Sequence, residues 1–237
     1  MKRLRPGLLL LLAVITPAGA ADVSQMRADR VGWARLQTSS PQWKRHSGSD
    51  PVLAQFIREN TSLNIDPTWY AADVEKLGEL CKYPMLFSQG IGMVDSGTAR
   101  ANLAEYIRRG GFLLIDACIN KNVTPDPDAF LADQTRVLTA ILPECRVLPI
   151  KPEHDVFHCY FQIPGGTPPH MYYNNVFDPQ WSRHGLYAVM IGTRMAGVIS
   201  VSGLQCGWDR MISPPGLPED CMRMLINIYT YAMLQGT

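Results

Sequence analysis

Long apolar runs are scarce in this 237-residue chain, and the longest stands near the start. Leu8 to Ile15 follows a basic MKRLRPG and precedes Thr16-Pro17-Ala18-Gly19-Ala20. A basic start, a short apolar stretch and a small-residue end describe a secretory signal peptide. A bilayer-spanning helix needs about 20 apolar residues, so this run is too short, and no later run is longer. The sequence therefore predicts a signal at residues 1–20, a flexible arm at 21–30 and one domain at 31–237. The mature protein is expected to be exported, periplasmic or extracellular, with no membrane span after cleavage.

A basic block is also absent, and so is an acidic tail. Removing Lys2, Arg3 and Arg5 with the signal leaves 19 basic against 21 acidic residues. Nucleic-acid binding has no electrostatic footing in such a chain. No CxxC occurs among the six cysteines, which argues against a zinc ribbon and a thioredoxin-type pair. No HExxH, complete GxGxxG or P-loop is present, so no cofactor is expected. There is no internal repeat.

What is present is a strand–helix rhythm. Tyr83 to Ser88 is a short apolar strand, Gln89 to Gly92 a tight loop, and Asp95 or Ser96 caps a helix running to Arg109. Gly110 stops that helix, and Phe112 to Ile115 forms the next strand. Strand, helix, strand over this length is a parallel βαβ unit with a right-handed crossover. The rhythm continues with a helix from Ala129 to Leu142 and a strand from Arg146 to Ile150, near an edge because of Pro149. A hairpin of Leu186–Ile191 and Val198–Val201 turns at Gly192-Thr193-Arg194, and a helix runs from Glu219 to Leu234. Upstream, Val31 to Leu36 reads as a first strand, and Asp50 as the cap of a helix with Pro51 at its first position. The expected fold is α/β: a three-layer, mostly parallel sheet flanked by helices.

In such a sheet ligands bind beyond the carboxyl ends of the strands. That rim should gather three loops: Gln89–Val94 with Gln89 and Gly90, Asp116–Asn122 with Asn120, and Ser202–Asp209. Gln89-Gly90-Ile91-Gly92 reads chiefly as a tight strand-to-helix turn. Cys118 stands at the rim beside Asp116, but the glycines of a nucleophile elbow are replaced there by Asp116 and Asn120. Cys206 follows an apolar strand across a similar turn, so the two sulfurs should reach one rim. A Cys118–Cys206 disulfide is the favoured expectation, provided the Cα atoms come within about 7 Å. His154 and His158 have the i, i+4 spacing of a zinc pair, yet Pro152 and Pro164 argue against a sustained helix, and a structural role is favoured. Cys145 and Cys159 flank one strand and turn and could pair. His170 and His184 fall in polar loops, where solvent exposure is the default.

"YIRRGGFLLIDACIN" and "LPIKPEHDVFHCYFQIPGG" together resemble the domain of unknown function 4159 family. The matching positions are Gly110 to Asp116, His154 to His158 and Phe161 to Gly166, and the likeness spans roughly residues 30 to 236. That family is similar to the class I glutamine amidotransferase-like fold, a flavodoxin-like sheet shared with ThuA-type proteins. The resemblance implies this fold and brings no activity. Cys118 falls near the amidotransferase nucleophile and Cys206 near its histidine, and no His-x-Glu occurs in the chain. The amidotransferase triad is therefore not carried over.

Three functions follow as expectations. The first is a non-catalytic binding or scaffolding module, with an envelope protein or glycan as partner. The second is an envelope hydrolase of amides or glycans using Asp116 with His154 or His158. The third is a metal protein holding its ion through His154, His158 and Asp155.

Overall fold

The computed structural model describes residues 19–20, 29–171, 178–209 and 214–235. All but the last two residues of the expected signal at 1–20, and residues 21–28 of the expected arm at 21–30, lie outside these residues. The elements in chain order are β1 (Val31–Gln37), α1 (Asp50–Asn60), β2 (Ile65–Asp73), α2 (Leu77–Leu80), β3 (Met85–Ser88), α3 (Gly97–Arg108) and β4 (Phe112–Asp116). They continue with α4 (Pro127–Ile141), β5 (Cys145–Pro149), α5 (Pro179–Ser182), β6 (Leu186–Ile191), β7 (Arg194–Ser200), α6 (Leu204–Trp208) and α7 (Leu217–Leu234). None of the described helices is long and apolar enough to cross a membrane.

Seven strands form one sheet in the order β2-β1-β3-β4-β7-β6-β5. β2, β1, β3, β4 and β7 run parallel, while β6 and β5 pair antiparallel. The sheet is thus mixed rather than parallel throughout. The reason is the hairpin: a tight turn at Gly192-Thr193 forces β6 and β7 to be antiparallel, and β5 then joins the far edge. Strand β7 also begins at Arg194, four residues before the apolar run that marks it in the sequence. Both prolines inside strands, Pro67 in β2 and Pro149 in β5, lie on edge strands, where a missing N–H leaves no central ladder bond unmade.

The central strands are buried along their whole length because both faces are covered. Their side chains alternate between two apolar cores. Phe112 and Leu114 point with Trp33, Phe87, Leu225 and Tyr229 toward the layer of α1, α6 and α7. Leu113 and Ile115 point with Leu36, Leu103, Ile107 and Leu138 toward α3 and α4. Helix starts follow their local chemistry: the Ser96 Oγ accepts from the Ala99 N–H at 2.9 Å, and the Asp126 Oδ1 from the Ala129 N–H at 2.9 Å.

Asp50 is the exception. It does not cap α1; Ser49 occupies that position without a side-chain capping bond, its hydroxyl donating instead to the His46 carbonyl at 2.6 Å. Asp50 instead turns inward and is fully buried against Arg35 of β1, also fully buried. The pair is bidentate, with Arg35 Nε 2.5 Å from Asp50 Oδ2 and Nη2 2.6 Å from Oδ1. Two indoles add to the carboxylate: Trp33 Nε1 donates at 3.0 Å and Trp208 Nε1 at 3.2 Å. The remaining guanidinium nitrogen donates to the carbonyls of Trp43 at 3.3 Å and Arg45 at 3.0 Å. The guanidinium carbon stands 5.0 Å from the centre of the Phe87 ring. β1, the 38–49 loop, α1 and α6 all meet at these two side chains.

Removing one partner of such a pair leaves the other charged and buried. Asp50→Ala is expected to cost about 3–5 kcal/mol in urea unfolding; a loss below about 1 kcal/mol would show that the pair is not a structural centre.

Candidate functional site

β1, β3, β4 and β7 end side by side, so the loops after them share one rim. The β1 loop carries His46, the β4 loop Cys118, and the β7 turn leads into α6 with Cys206 and Asp209. Gln89 begins the β3 loop. The order β2-β1-β3 makes β1/β3 a place where successive strands depart in opposite directions, the usual location of a crevice.

Three side chains form a hydrogen-bonded line across this rim. Cys118 Sγ lies 3.9 Å from His46 Nε2, and His46 Nδ1 lies 2.6 Å from Asp209 Oδ2. The His46 side chain is 28 % exposed, whereas Cys118 is 1 % exposed beneath it. Asp209 fixes the ring with Nδ1–H toward the carboxylate, which leaves Nε2 for the sulfur. His46 is also the one non-glycine residue with positive φ among those described, at +58°. Such a conformation persists where surrounding contacts impose it, and functional sites are where it concentrates.

The charges reinforce one another. The hydrogen bond to Asp209 raises His46 most, the bond to Cys118 adds to it against burial, and the imidazole is pushed up to about 9. Cys118 is held well below the ordinary thiol range, chiefly by a hydrogen bond from Cys206, with His46 and the Asn120 N–H adding and burial opposing. Cys206 is pushed well above that range by its bond to Cys118 and by burial. These directions favour a Cys118 thiolate beside a His46 imidazolium at neutral pH, with the Cys206 S–H turned toward the Cys118 sulfur.

Backbone geometry puts the two sulfurs together. β4 and β7 pair with Asp116 opposite Ser200, and the Ala117 N–H donates to the Ser200 carbonyl at 2.9 Å. Gly203 then turns the chain at φ +68°, and a Cβ there would stand 2.3 Å from Ile119 Cγ2. Only glycine lets α6 approach the Cys118 loop this closely. The expected Cys118–Cys206 disulfide is not formed: both are free thiols in hydrogen-bond contact. Cys81, Cys145, Cys159 and Cys221 are free too, and Cys159 donates to the Asn227 carbonyl at 3.2 Å rather than pairing with Cys145.

Asp116 reaches the rim strand's end but not solvent. It is fully buried, and its Oδ2 accepts from the Gln205 N–H at 2.9 Å, anchoring the start of α6. Oδ1 has no well-formed hydrogen bond, although the Ser200 hydroxyl lies beside the carboxyl. Burial raises the group to about 7, against the hydrogen bonds from Gln205, Ser200 and Leu204. Asp116 is thus an internal brace.

His154 and His158 belong elsewhere. They follow β5, three strand spacings from β4, which is about 14 Å. His154 Nδ1 accepts from the Val156 N–H at 3.1 Å and starts a short 3-10 turn. The His158 ring nitrogens lie 3.0 Å from Gln162 Oε1 and 3.1 Å from the Pro152 carbonyl. The next residues are clamped to α7 by Asn227, which accepts from the Phe161 N–H at 2.7 Å and donates to its carbonyl at 2.8 Å. This segment is architecture, and the pairing of Asp116 with either histidine does not occur. Among the described residues no three His, Cys, Asp or Glu side chains gather to hold an ion, so His154, Asp155 and His158 make no ligand set. His184 is buried rather than exposed, with Nδ1 2.8 Å from the Tyr187 hydroxyl. His170 Nε2 donates to the His184 carbonyl at 2.9 Å.

Gln89, Gly90 and Asn120 do lie at the rim. Gln89 donates to the Gln205 side chain, and Gln205 Nε2 donates to the Arg45 carbonyl at 3.1 Å, tying the β3, β7 and β1 loops together. The turn at Gly90 is closed by Gln134, whose Oε1 accepts from the Ile91 N–H at 2.8 Å. A cavity of about 150 Å³ opens here, lined by Thr38, Ser40, Gln42, Trp43, Gln89 and Gly90 among others, with no charged side chain. His46 and Asp209 carry no local signature in the sequence. The one available hint is a histidine in a polar loop that directly follows a buried strand.

A carboxyl raised by burial favours the folded state while protonated. Its stabilising share is complete below about pH 4 and is lost as pH rises through about 7. Asp116→Asn, which keeps an acceptor for Gln205, should gain on the wild type by up to about 4 kcal/mol between pH 4 and 8. Paired denaturation curves across that range check it; a constant difference would mean that Asp116 ionises as an ordinary carboxyl.

Comparison with known proteins adds a family and no activity. No curated protein matches the chain. Residues 33–233 match the family model described as domain of unknown function (DUF4159), a span that holds β1, His46, Cys118, Cys206 and Asp209. The chain is a member of the DUF4159 family.

Proposed function

We propose that the protein is a cysteine-dependent hydrolase or acyl-transfer enzyme. Cys118 is the nucleophile, His46 the acid–base, and Asp209 the residue that orients His46. The single observation carrying this reading is the line Cys118–His46–Asp209, a thiolate and an imidazolium steadied by a carboxylate. In the reaction the thiolate adds to a carbonyl carbon and His46 gives its Nε2 proton to the leaving group. Neutral His46 then takes a proton from water, which cleaves the thioester. The strand order β2-β1-β3-β4-β7 supports a flavodoxin-like or amidotransferase-like fold of the ThuA kind. An envelope location rests on residues 1–20.

A non-catalytic binding module is the second reading, favoured by the near-complete burial of Cys118. It leaves the low-lying thiol and the positive φ of His46 without a role.

Reduced protein mixed with p-nitrophenyl acetate separates the two. The expected outcome is a burst of nitrophenol and one acetyl group on Cys118, slowed by about 10²–10⁴-fold in His46→Ala. The pH profile is a second readout. The Cys118 acylation rate should stay level from about pH 6 to 8 in the wild type and shift to higher pH in His46→Ala. An unmodified Cys118, or equal rates in the two proteins, contradicts the proposal.

A further inference from the structure

A hydrolase needs one sulfur, and this rim holds two. Cys206 donates to the Cys118 sulfur from a turn that a glycine without room for a Cβ presses against Ile119. The Ile119 and Asn120 N–H groups face Cys206 and Cys118 respectively, so two successive amides line the sulfur pair. Both thiols are buried, and His46, the proton donor beside them, is partly exposed. Acyl transfer uses Cys206 only as a hydrogen-bond donor to the thiolate and leaves its own sulfur unreacted.

We propose that Cys118 and Cys206 are a hydroperoxide-sensitive modification site, in which Cys118 is oxidised first and Cys206 resolves it as an intramolecular disulfide. The thiolate attacks the outer oxygen of ROOH. An S–O bond forms while the O–O bond breaks, leaving Cys118 as a sulfenic acid. The departing RO⁻ takes the His46 proton and leaves as ROH. Sulfur is oxidised by two electrons and the peroxide is reduced by two. Cys206 then attacks the sulfenic sulfur: the S–S bond forms, the S–O bond breaks, and water leaves with the Cys206 proton. A dithiol reductant returns both thiols.

The electrostatics set the order of events. The Cys206 proton is retained mainly because it binds the Cys118 thiolate. Once Cys118 is a neutral sulfenic acid that hold disappears, and Cys206 becomes the more reactive partner. Cys221, the other sulfur near α6, has a purely internal setting: burial pushes it well above the thiol range, and its Sγ would stand 3.0 Å from a Cβ at Gly207. It has no contact with Cys118 that would compete.

The inference shares the thiolate with the acyl-transfer reading but not its substrate, so the two fail separately. Reduced protein is treated with one equivalent of hydrogen peroxide, alkylated with iodoacetamide, and mapped by mass spectrometry. The expected result is a Cys118–Cys206 linked peptide, loss of alkylation at Cys118, and its return with dithiothreitol. In Cys206→Ser the expected product of the same treatment is a Cys118 sulfenic acid trapped by dimedone, and only a further equivalent of peroxide carries it to a sulfinic acid that dithiothreitol does not restore. Linked peptides without acetylation by p-nitrophenyl acetate keep this inference and remove the hydrolase; acetylation without linked peptides does the reverse. Full Cys118 alkylation after peroxide, or no dimedone adduct at Cys118 in Cys206→Ser, overturns the inference.

Discussion

The buried Arg35–Asp50 pair is the constraint on which the rim depends. Placing two charges in a fully buried site carries a desolvation cost of several kcal/mol per ion even after relaxation. The structure offsets it with full coordination. The guanidinium reaches both carboxylate oxygens and two carbonyls, and the carboxylate receives two indoles as well. Such a pair is a poor source of net stability and a strong source of specificity, because a displaced partner leaves an unpaired charge. Its reach explains why it sits here. Arg35 holds the Arg45 carbonyl, one residue before His46, and Asp50 holds the Trp208 indole, one residue before Asp209. The two residues that orient the Cys118 chemistry therefore hang from the two ends of one ion pair.

The same logic governs the sulfur. A buried thiolate alone would be costly. This one is compensated by an imidazolium, an S–H donor and a backbone N–H. The imidazolium is in turn compensated by Asp209. The three charged groups leave a single net negative charge, with His46 and Asp209 partly exposed. Asp116, by contrast, receives hydrogen bonds but no cation, so burial dominates and pushes it up to about 7. Two acidic groups two residues apart, Asp116 and Cys118, are thereby driven in opposite directions by their surroundings. That divergence is what separates brace from nucleophile.

Much of the fold was legible because it is local. The GG–apolar–Asp stretch at 110–116, the Ser96 cap and Pro149 of the edge strand β5 each have short-range physical causes. The hairpin turn was legible as well, although its consequence, a mixed sheet, depends on where β5 finds an edge. Asp50 shows the limit. An acidic residue before a proline has the chemistry of a cap, and only the guanidinium fifteen residues earlier decides that it turns inward. The site was less legible than the fold. Cys118 and Cys206 could be brought to one rim from the strand rhythm. Asp209 fell at the end of the expected rim loop but without a role, and His46, 72 residues from Cys118 in the chain, could not be placed there because no spacing motif links the two. The i, i+4 histidines at 154 and 158 offered a stronger local pattern, yet they bond within their own turn, beside the Phe161 segment that Asn227 clamps to α7.

The central claim is that Cys118 is an anion in the resting protein. An ultraviolet titration of thiolate absorbance, comparing reduced wild type with Cys118→Ser, tests it directly. The account predicts a thiolate signal that persists down to about pH 5 in the wild type and is missing from the variant. If the two proteins match at pH 5–7, and thiolate appears only near the ordinary thiol value of about 8.5, the account is contradicted.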